Sequence, residues 1–235
     1  GYIENAQRMS QGVGDIGVMT VSDAFDIYHN EGIFSDAEEN ILTMMPVHTL
    51  DWHIVVKKES GIDSIWDLEG KVVNLQPQGS FNQSLSERIF DTLGITYTPQ
   101  YLEHSEASDA IQTNNIDAHV MSGTSTAFQE LALRTDLKVL SLTEDDIDKI
   151  IADLPFLSTT KFDAEKYYEG TGEVDIVNVW AIIAVNENLP EDMVYTLTKA
   201  LYENTDTLKN YHASAEGMSP EQILEINIPL HPGAL

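Results

Sequence analysis

The residues best placed to do chemistry lie between positions 71 and 90, where an aliphatic run, a Gly-Ser turn and a helical repeat follow one another directly. Val72, Val73 and Leu75 read as a strand, Gln78-Gly79-Ser80 as a turn, and residues 81–93 carry apolar side chains at helical spacing. The first amides of a helix lack intrahelical acceptors, and the helix dipole leaves partial positive charge beside them. Such an end holds a carboxylate or phosphate without Lys or Arg. In this reading Gln78, Gly79, Ser80, Phe81 and Asn82 form an anion seat; in the plainer one Ser80 is an N-cap and Gly79 a turn residue.

Two further junctions share the pattern. Ser122-Gly123-Thr124-Ser125 follows a strand expected at 117–121 and precedes a helix expected at 126–134, which adds Gly123 and Thr124 to the candidates. A buried strand over 15–19 leads through Thr20 into a helix from about Ser22 that ends near Gly32. Asp23, in its first turn, either receives a ligand ammonium group or pairs with the helix end. Trp52 and Trp180, on two long apolar strands, either line a ligand cleft or pack in the core.

Other chemistries are poorly served. The chain has no cysteine, which removes disulfides, thiol nucleophiles and Cys-ligated metals. The histidines stand at 29, 48, 53, 104, 119, 212 and 231, and none forms the i, i+4 pair of a helical zinc site. His48 and His53 are five apart, and structural or surface roles are expected of all the histidines rather than a metal site. No nucleophile elbow or His-carboxylate arrangement stands at the candidate loops, so an enzyme on this architecture has little support, and no cofactor is implied. The only arginines are Arg8, Arg88 and Arg134, and Arg88 lies about two turns beyond Ser80. A bidentate Arg-carboxylate clamp is therefore not expected. Backbone amides, Gln78, Ser80, Asn82 and Thr124 have to hold the anion, which favours a zwitterionic or singly charged ligand over a dicarboxylate.

The 39 acidic against 12 basic residues give a net charge of −27, which repels nucleic acid and anionic lipid. The acids are dispersed, as in Glu144-Asp145-Asp146-Ile147-Asp148, and read as a solvated surface suited to salty surroundings. No apolar run approaches the roughly 20 residues of a membrane span, and the start at Gly1 has no signal-peptide pattern.

Strand and helix alternate along the 235 residues. Strands are expected at 52–57, 71–75, 97–102, 117–121, 138–142 and 177–185, and helices at 106–113, 145–152 and 191–204, with Gly94 ending the helix that starts after Ser80. This is an α/β pattern with mostly parallel pairing. The long strands at 52–57 and 177–185 bracket a domain-sized segment. The expected division is residues 1–56 with 179–235 as one lobe and 57–178 as the other. Loops 20–23, 76–82 and 122–125 are expected to converge on a central cleft.

Gly12-Val13-Gly14-Asp15-Ile16-Gly17-Val18-Met19 and Ser60-Gly61-Ile62-Asp63-Ser64-Ile65-Trp66-Asp67-Leu68-Glu69-Gly70-Lys71-Val72-Val73 resemble the TAXI family of TRAP-transporter solute receptors in order and spacing. Ile116-Asp117-Ala118, the stretch Leu197-Thr198-Lys199-Ala200-Leu201-Tyr202-Glu203-Asn204, and Pro229-Leu230-His231-Pro232-Gly233-Ala234 are similar to that family too. The resemblance implies a two-lobed type II periplasmic-binding-protein fold with two mixed, mostly parallel sheets. It implies a receptor outside the cytoplasm that captures a small carboxylate such as glutamate, glutamine or a 2-oxo acid and delivers it to a TRAP membrane permease. It also implies an earlier strand, loop and helix ahead of the segment matching Gly1 and a final helix beyond Leu235. The family's Gly-Ser-Gly-Thr loop stands here as Gly79-Ser80-Phe81-Asn82, which narrows the seat or offers a ring for stacking at Phe81 and an amide at Asn82. Tyr167-Tyr168-Glu169-Gly170 is similar to a rim segment. Other proteins with two such lobes are the effector-sensing parts of regulators, but no DNA-reading segment accompanies this one.

Overall fold

Ser80 caps the first turn of a helix, residues Phe81–Leu93, by accepting from the amide of Gln83 at 3.2 Å. Gly94, at φ 70°, closes the last turn in the left-handed conformation that L side chains resist. Between these caps Leu85, Ile89, Phe90 and Leu93 are buried along one face. The computed structural model describes residues 1–38, 40–211, 215 and 217–235.

In chain order the elements are α1 (Tyr2–Ser10), β1 (Ile16–Thr20), α2 (Val21–His29), β2 (Ile41–Lys57), β3 (Val72–Asn74), α3 (Phe81–Leu93), β4 (Thr98–Gln100), α4 (His104–Gln112), β5 (Ala118–Ser122) and α5 (Thr126–Ala132). Then come β6 (Leu137–Val139), α6 (Glu144–Asp153), β7 (Ser158–Asp163), β8 (Glu173–Asn186), α7 (Glu191–Glu203) and α8 (Thr205–Tyr211). They form two compact units, Gly1–Leu50 with Val179–Leu235, and Asp51–Asn178. Residues 51–56, expected in the first unit, belong to the second because they pair with β5 and β6.

In the second unit β3 pairs in parallel with β4 and with β5, each step bridged by a helix. The end of β2 runs antiparallel to β5, from Trp52 opposite Ser122 to Val56 opposite Ala118. Alternation then sorts the side chains by face. Trp52 and Ser122 meet α3, whereas His53 stacks on Phe162 of β7 and His119 on Phe128 of α5.

In the first unit β1 runs antiparallel to the end of β8, from Ile16 opposite Val185 to Thr20 opposite Ala181. Met44, Met45, Val185, Val194, Ala215 and Met218 form its core. The motif Pro229–Ala234 has a local reason here. His231 donates from Nε2 to the Leu189 carbonyl at 3.1 Å and accepts at Nδ1 from the Gly233 amide at 3.1 Å. A Cβ on Gly233 would meet the Glu191 carbonyl at 2.3 Å, so only glycine lets this segment lie on α7.

One sheet expectation is corrected. The pairs β1–β8, β2–β5, β2–β6 and β7–β8 are antiparallel, so pairing is not mostly parallel. The parallel pairs lie in the β3-α3-β4-α4-β5 run, where helical crossovers bring successive strands into the same direction. The strand order is β1-β8-β2-β5-β3-β4, with β2 and β8 each contributing residues to both units.

Candidate functional site

The progress of successive strands across the sheet reverses around β3. From it α3 leads outward to β4, and α4 carries the chain back to β5 on the other side of β3. Such a switch point leaves a crevice beyond the carboxyl ends of the strands. The loops 75–80 and 123–125, which overlap the expected 76–82 and 122–125, start at that edge.

Side chains tie the two loops together. Gln76 sits at φ 71°, a conformation costing about 1 kcal/mol or more for a residue with a side chain. Its buried amide donates to the Val120 carbonyl of β5 at 3.0 Å, which anchors the loop in that shape. The Ser80 amide donates to the Pro77 carbonyl at 3.1 Å, and Gly79, at φ 77°, donates its amide to Gln83 Oε1 at 2.8 Å. Ser122 Oγ donates to Asn82 Oδ1. With its oxygen engaged, Asn82 keeps its Nδ2 hydrogens for another acceptor. The amides of Phe81 and Asn82, first in the helix, have no intrahelical acceptor either.

Gly79, Gln78 and Thr124 are exposed, whereas Phe81, Asn82 and Gly123 are half-buried. Gly123, at φ 85°, donates its amide to the Asp51 carbonyl at 3.4 Å. Because Ser80 Oγ already accepts from Gln83, its first effect is on the helix. Ser80→Ala is expected to lower stability in urea by about 1 kcal/mol, and no change in midpoint would show the cap to be idle. Arg88 lies with its guanidinium 4.6 Å from the centre of the Phe156 ring, further along α3.

The remaining candidates are placed as follows. In the first unit Thr20 is the N-cap of α2 and accepts from the Asp23 amide at 3.2 Å. Its hydroxyl lies 2.7 Å from Asp23 Oδ2 and 2.8 Å from Ser22 Oγ, and all three residues are buried. Asp23 is thus held in a capping network at the positive end of the helix. Trp180 is 6% exposed. Trp52 is corrected to a core residue: it is 1% exposed, donates from Nε1 to Ser86 Oγ at 3.0 Å and meets Phe90 edge-on at 6.1 Å. Register decides this, since its pairing with Ser122 turns the indole onto α3.

The structure adds residues that sequence reasoning missed. Asn74, the last residue of β3, and His119, the second of β5, are both fully buried and lie opposite one another. Asn74 bonds both the amide and the carbonyl of Leu102, at 2.7 and 3.1 Å, and contacts His119 Nδ1 at 2.8 Å. His119 Nε2 in turn lies 3.0 Å from Nδ1 of the half-buried His104. Burial holds the pKa of His119 well below the usual histidine value, with His104 and His53 adding to the effect; burial also lowers His104 against the pull of Glu103. The available signal was an Asn and a His within otherwise buried strands, positions that require partners.

His53, 1% exposed, donates from Nδ1 to the Asp51 carbonyl at 2.8 Å, and burial lowers its pKa to about 4. Its Nε2 and Asp51 Oδ1 have no hydrogen-bond partner among the described residues. His48 Nε2 lies 3.2 Å from the Tyr2 hydroxyl, and His29 packs on Phe25. Among the described residues no group of three or more His, Asp or Glu is arranged to hold a metal. His212 lies outside the described residues.

The profile of the NMT1-like family matches residues 1–235, and the chain belongs to that family. Solved structures agree on the architecture. The chain is similar to the periplasmic aliphatic sulphonate binding protein SsuA of Escherichia coli, with 16% identity and a TM-score of 0.52 over 96% of this chain and 69% of that one. XAC2383 from Xanthomonas citri, solved bound to ATP, gives 11% identity and a TM-score of 0.56 over 94% and 80%. The alkanesulfonate-binding protein SsuA from Xanthomonas axonopodis pv. citri, bound to MOPS, gives 15% and 0.50 over 97% and 71%. At these identities the likeness defines the fold, the α/β type II fold of periplasmic binding proteins.

Proposed function

We propose that this chain is an extracytoplasmic solute receptor that captures a small carboxylate-bearing solute, a glutamate- or glutamine-like amino acid or a 2-oxo acid, and delivers it to a TRAP-type membrane permease. The observation that carries the reading is the junction of loops 75–82 and 122–125 at the switch point, where Asn82 and the first amides of α3 offer neutral donors. Neutral donors suit one buried negative charge better than two. The sulphonates for which SsuA is named likewise carry one charge on a cluster of oxygens.

The permease partner rests on the resemblance to TAXI receptors through the segments 12–19, 60–73 and 229–234. The periplasmic fold relatives support a location outside the cytoplasm, and no described helix is long and apolar enough to cross a membrane. A binding role rather than catalysis is supported by how the loop hydroxyls are used. Ser80 accepts from a backbone amide and Ser122 donates to Asn82, so neither is paired with a histidine base. The net charge of −27 does not oppose anion capture at short range, since it is screened beyond about 10 Å at ordinary ionic strength.

The reading is tested by calorimetry with L-glutamate, L-glutamine and the singly charged 2-oxo acid pyruvate. Asn82→Ala is expected to weaken binding of whichever solute binds by about 1–2 kcal/mol, roughly 5- to 30-fold. Unchanged affinity would move the seat away from α3.

A further inference from the structure

Asn74, His119 and His104 form a hydrogen-bonded series in which every donor is determined by the backbone of one residue, Leu102. The Leu102 amide donates to Asn74 Oδ1 at 2.7 Å, and Asn74 Nδ2 donates to the Leu102 carbonyl at 3.1 Å. Those two bonds fix which way the carboxamide faces. The second Nδ2 hydrogen then goes to His119 Nδ1 at 2.8 Å, so Nδ1 accepts and the imidazole hydrogen of His119 resides on Nε2. That hydrogen is donated to His104 Nδ1 at 3.0 Å. His104 Nδ1 therefore also accepts, and its own hydrogen sits on Nε2, at the one half-buried end of a series whose other side chains are fully buried.

The series ends at the same sheet edge as the candidate loops. Asn74 is the last residue of β3 and leads into loop 75–80, His104 is the first of α4, and its ring meets Phe128, in the first turn of α5, at 6.5 Å. Resting on the reading that this edge of the second unit holds the solute, we infer that His104 is a specificity-determining donor. It presents a neutral Nε2–H to a carbonyl or carboxylate oxygen of the solute, with Asn74 and His119 as positioning residues that set its tautomer. Protonating His104 would place a hydrogen on Nδ1 facing the Nε2–H of His119 and break the series. The geometry thus selects a neutral donor rather than a cation, in keeping with a seat for one charge. Glu103, the N-cap residue of α4, and Glu106, in its first turn, flank His104 and add no donor.

Two readings test this separately from the proposed function. In the free wild-type protein at neutral pH, 15N spectra of histidine-labelled material are expected to show His104 and His119 both as neutral Nε2–H tautomers, and Asn74→Ala to release His119 from that state. His104 as the Nδ1–H tautomer or as a cation would overturn the inference. In calorimetry with L-glutamate, His104→Leu is expected to lose at least 5-fold in affinity and His104→Gln, which keeps a neutral donor, to recover most of it. Equal affinity in all three proteins would also overturn it. Failure of the wild type to bind L-glutamate would count against the proposed solute class, and the spectra would then decide the relay alone.

Discussion

Asn74→Ala is expected to destabilise the protein by about 4 kcal/mol, the largest effect of any single polar substitution at this edge. The side chain is fully buried and bonds the Leu102 amide, the Leu102 carbonyl and His119 Nδ1. Alanine leaves all three without their partner, and each buried group stranded in this way costs about 1–3 kcal/mol. A loss of that size is a large share of the 5–15 kcal/mol typical of a whole protein. Urea unfolding followed by circular dichroism checks it, with an unchanged slope showing that the native fold is kept. A loss under 1 kcal/mol would mean that the three groups find other partners.

Acid sensitivity is the second large effect, and His53 is its clearest source. Its folded pKa, about 4, lies below the ordinary 6.5, so the unfolded chain binds a proton over an interval in which the folded chain does not. Stability from this group is complete above pH 6.5 and is lost as pH falls toward 4, by about 3 kcal/mol in all. His119 and His104 shift in the same direction and lose stability over the same side of the scale. Acid also neutralises carboxylates in a chain of net charge −27 and relieves their repulsion, so the raw curve mixes opposing trends. His53→Phe separates them. The ring keeps the stack on Phe162, at 4.6 Å in the wild type, and removes the titrating group. Between pH 7 and pH 4 the wild type is expected to lose about 3 kcal/mol more than His53→Phe. Parallel curves would show that His53 does not govern the acid limb.

What the sequence revealed follows from how local each signal is. The bounds of α3 were legible because Ser80, the helical repeat and Gly94 sit side by side in the chain. The loop pair 76–82 and 122–125 was legible for the same reason, as two short strands each ending in small residues before a helix. The first part of β2 was not, since Thr43, Pro46, His48 and Asp51 interrupt its apolar pattern and only pairing reveals it. α1 and β7 were not expected from the sequence. Strand direction was misjudged because it depends on the partner across the ladder. Trp52 shows the same limit, since being large and apolar does not say which face it takes until its register with Ser122 is known. The Asn74–His119–His104 series was hidden because Asn74 bonds Leu102 and His119 across 28 and 45 positions, with no local signature.

The central claim is that this chain binds a small carboxylate solute. The measurement that tests it most directly is the thermal unfolding of the protein alone and with amino acids, 2-oxo acids, dicarboxylates and sugars, each hit then titrated by calorimetry. A solute present at 100 times its dissociation constant adds about 2.7 kcal/mol of stability. Stabilisation by glutamate-like zwitterions or 2-oxo acids, weakened in Asn82→Ala, is the predicted result. Stabilisation by sugars alone, or by no carboxylate at all, would contradict it.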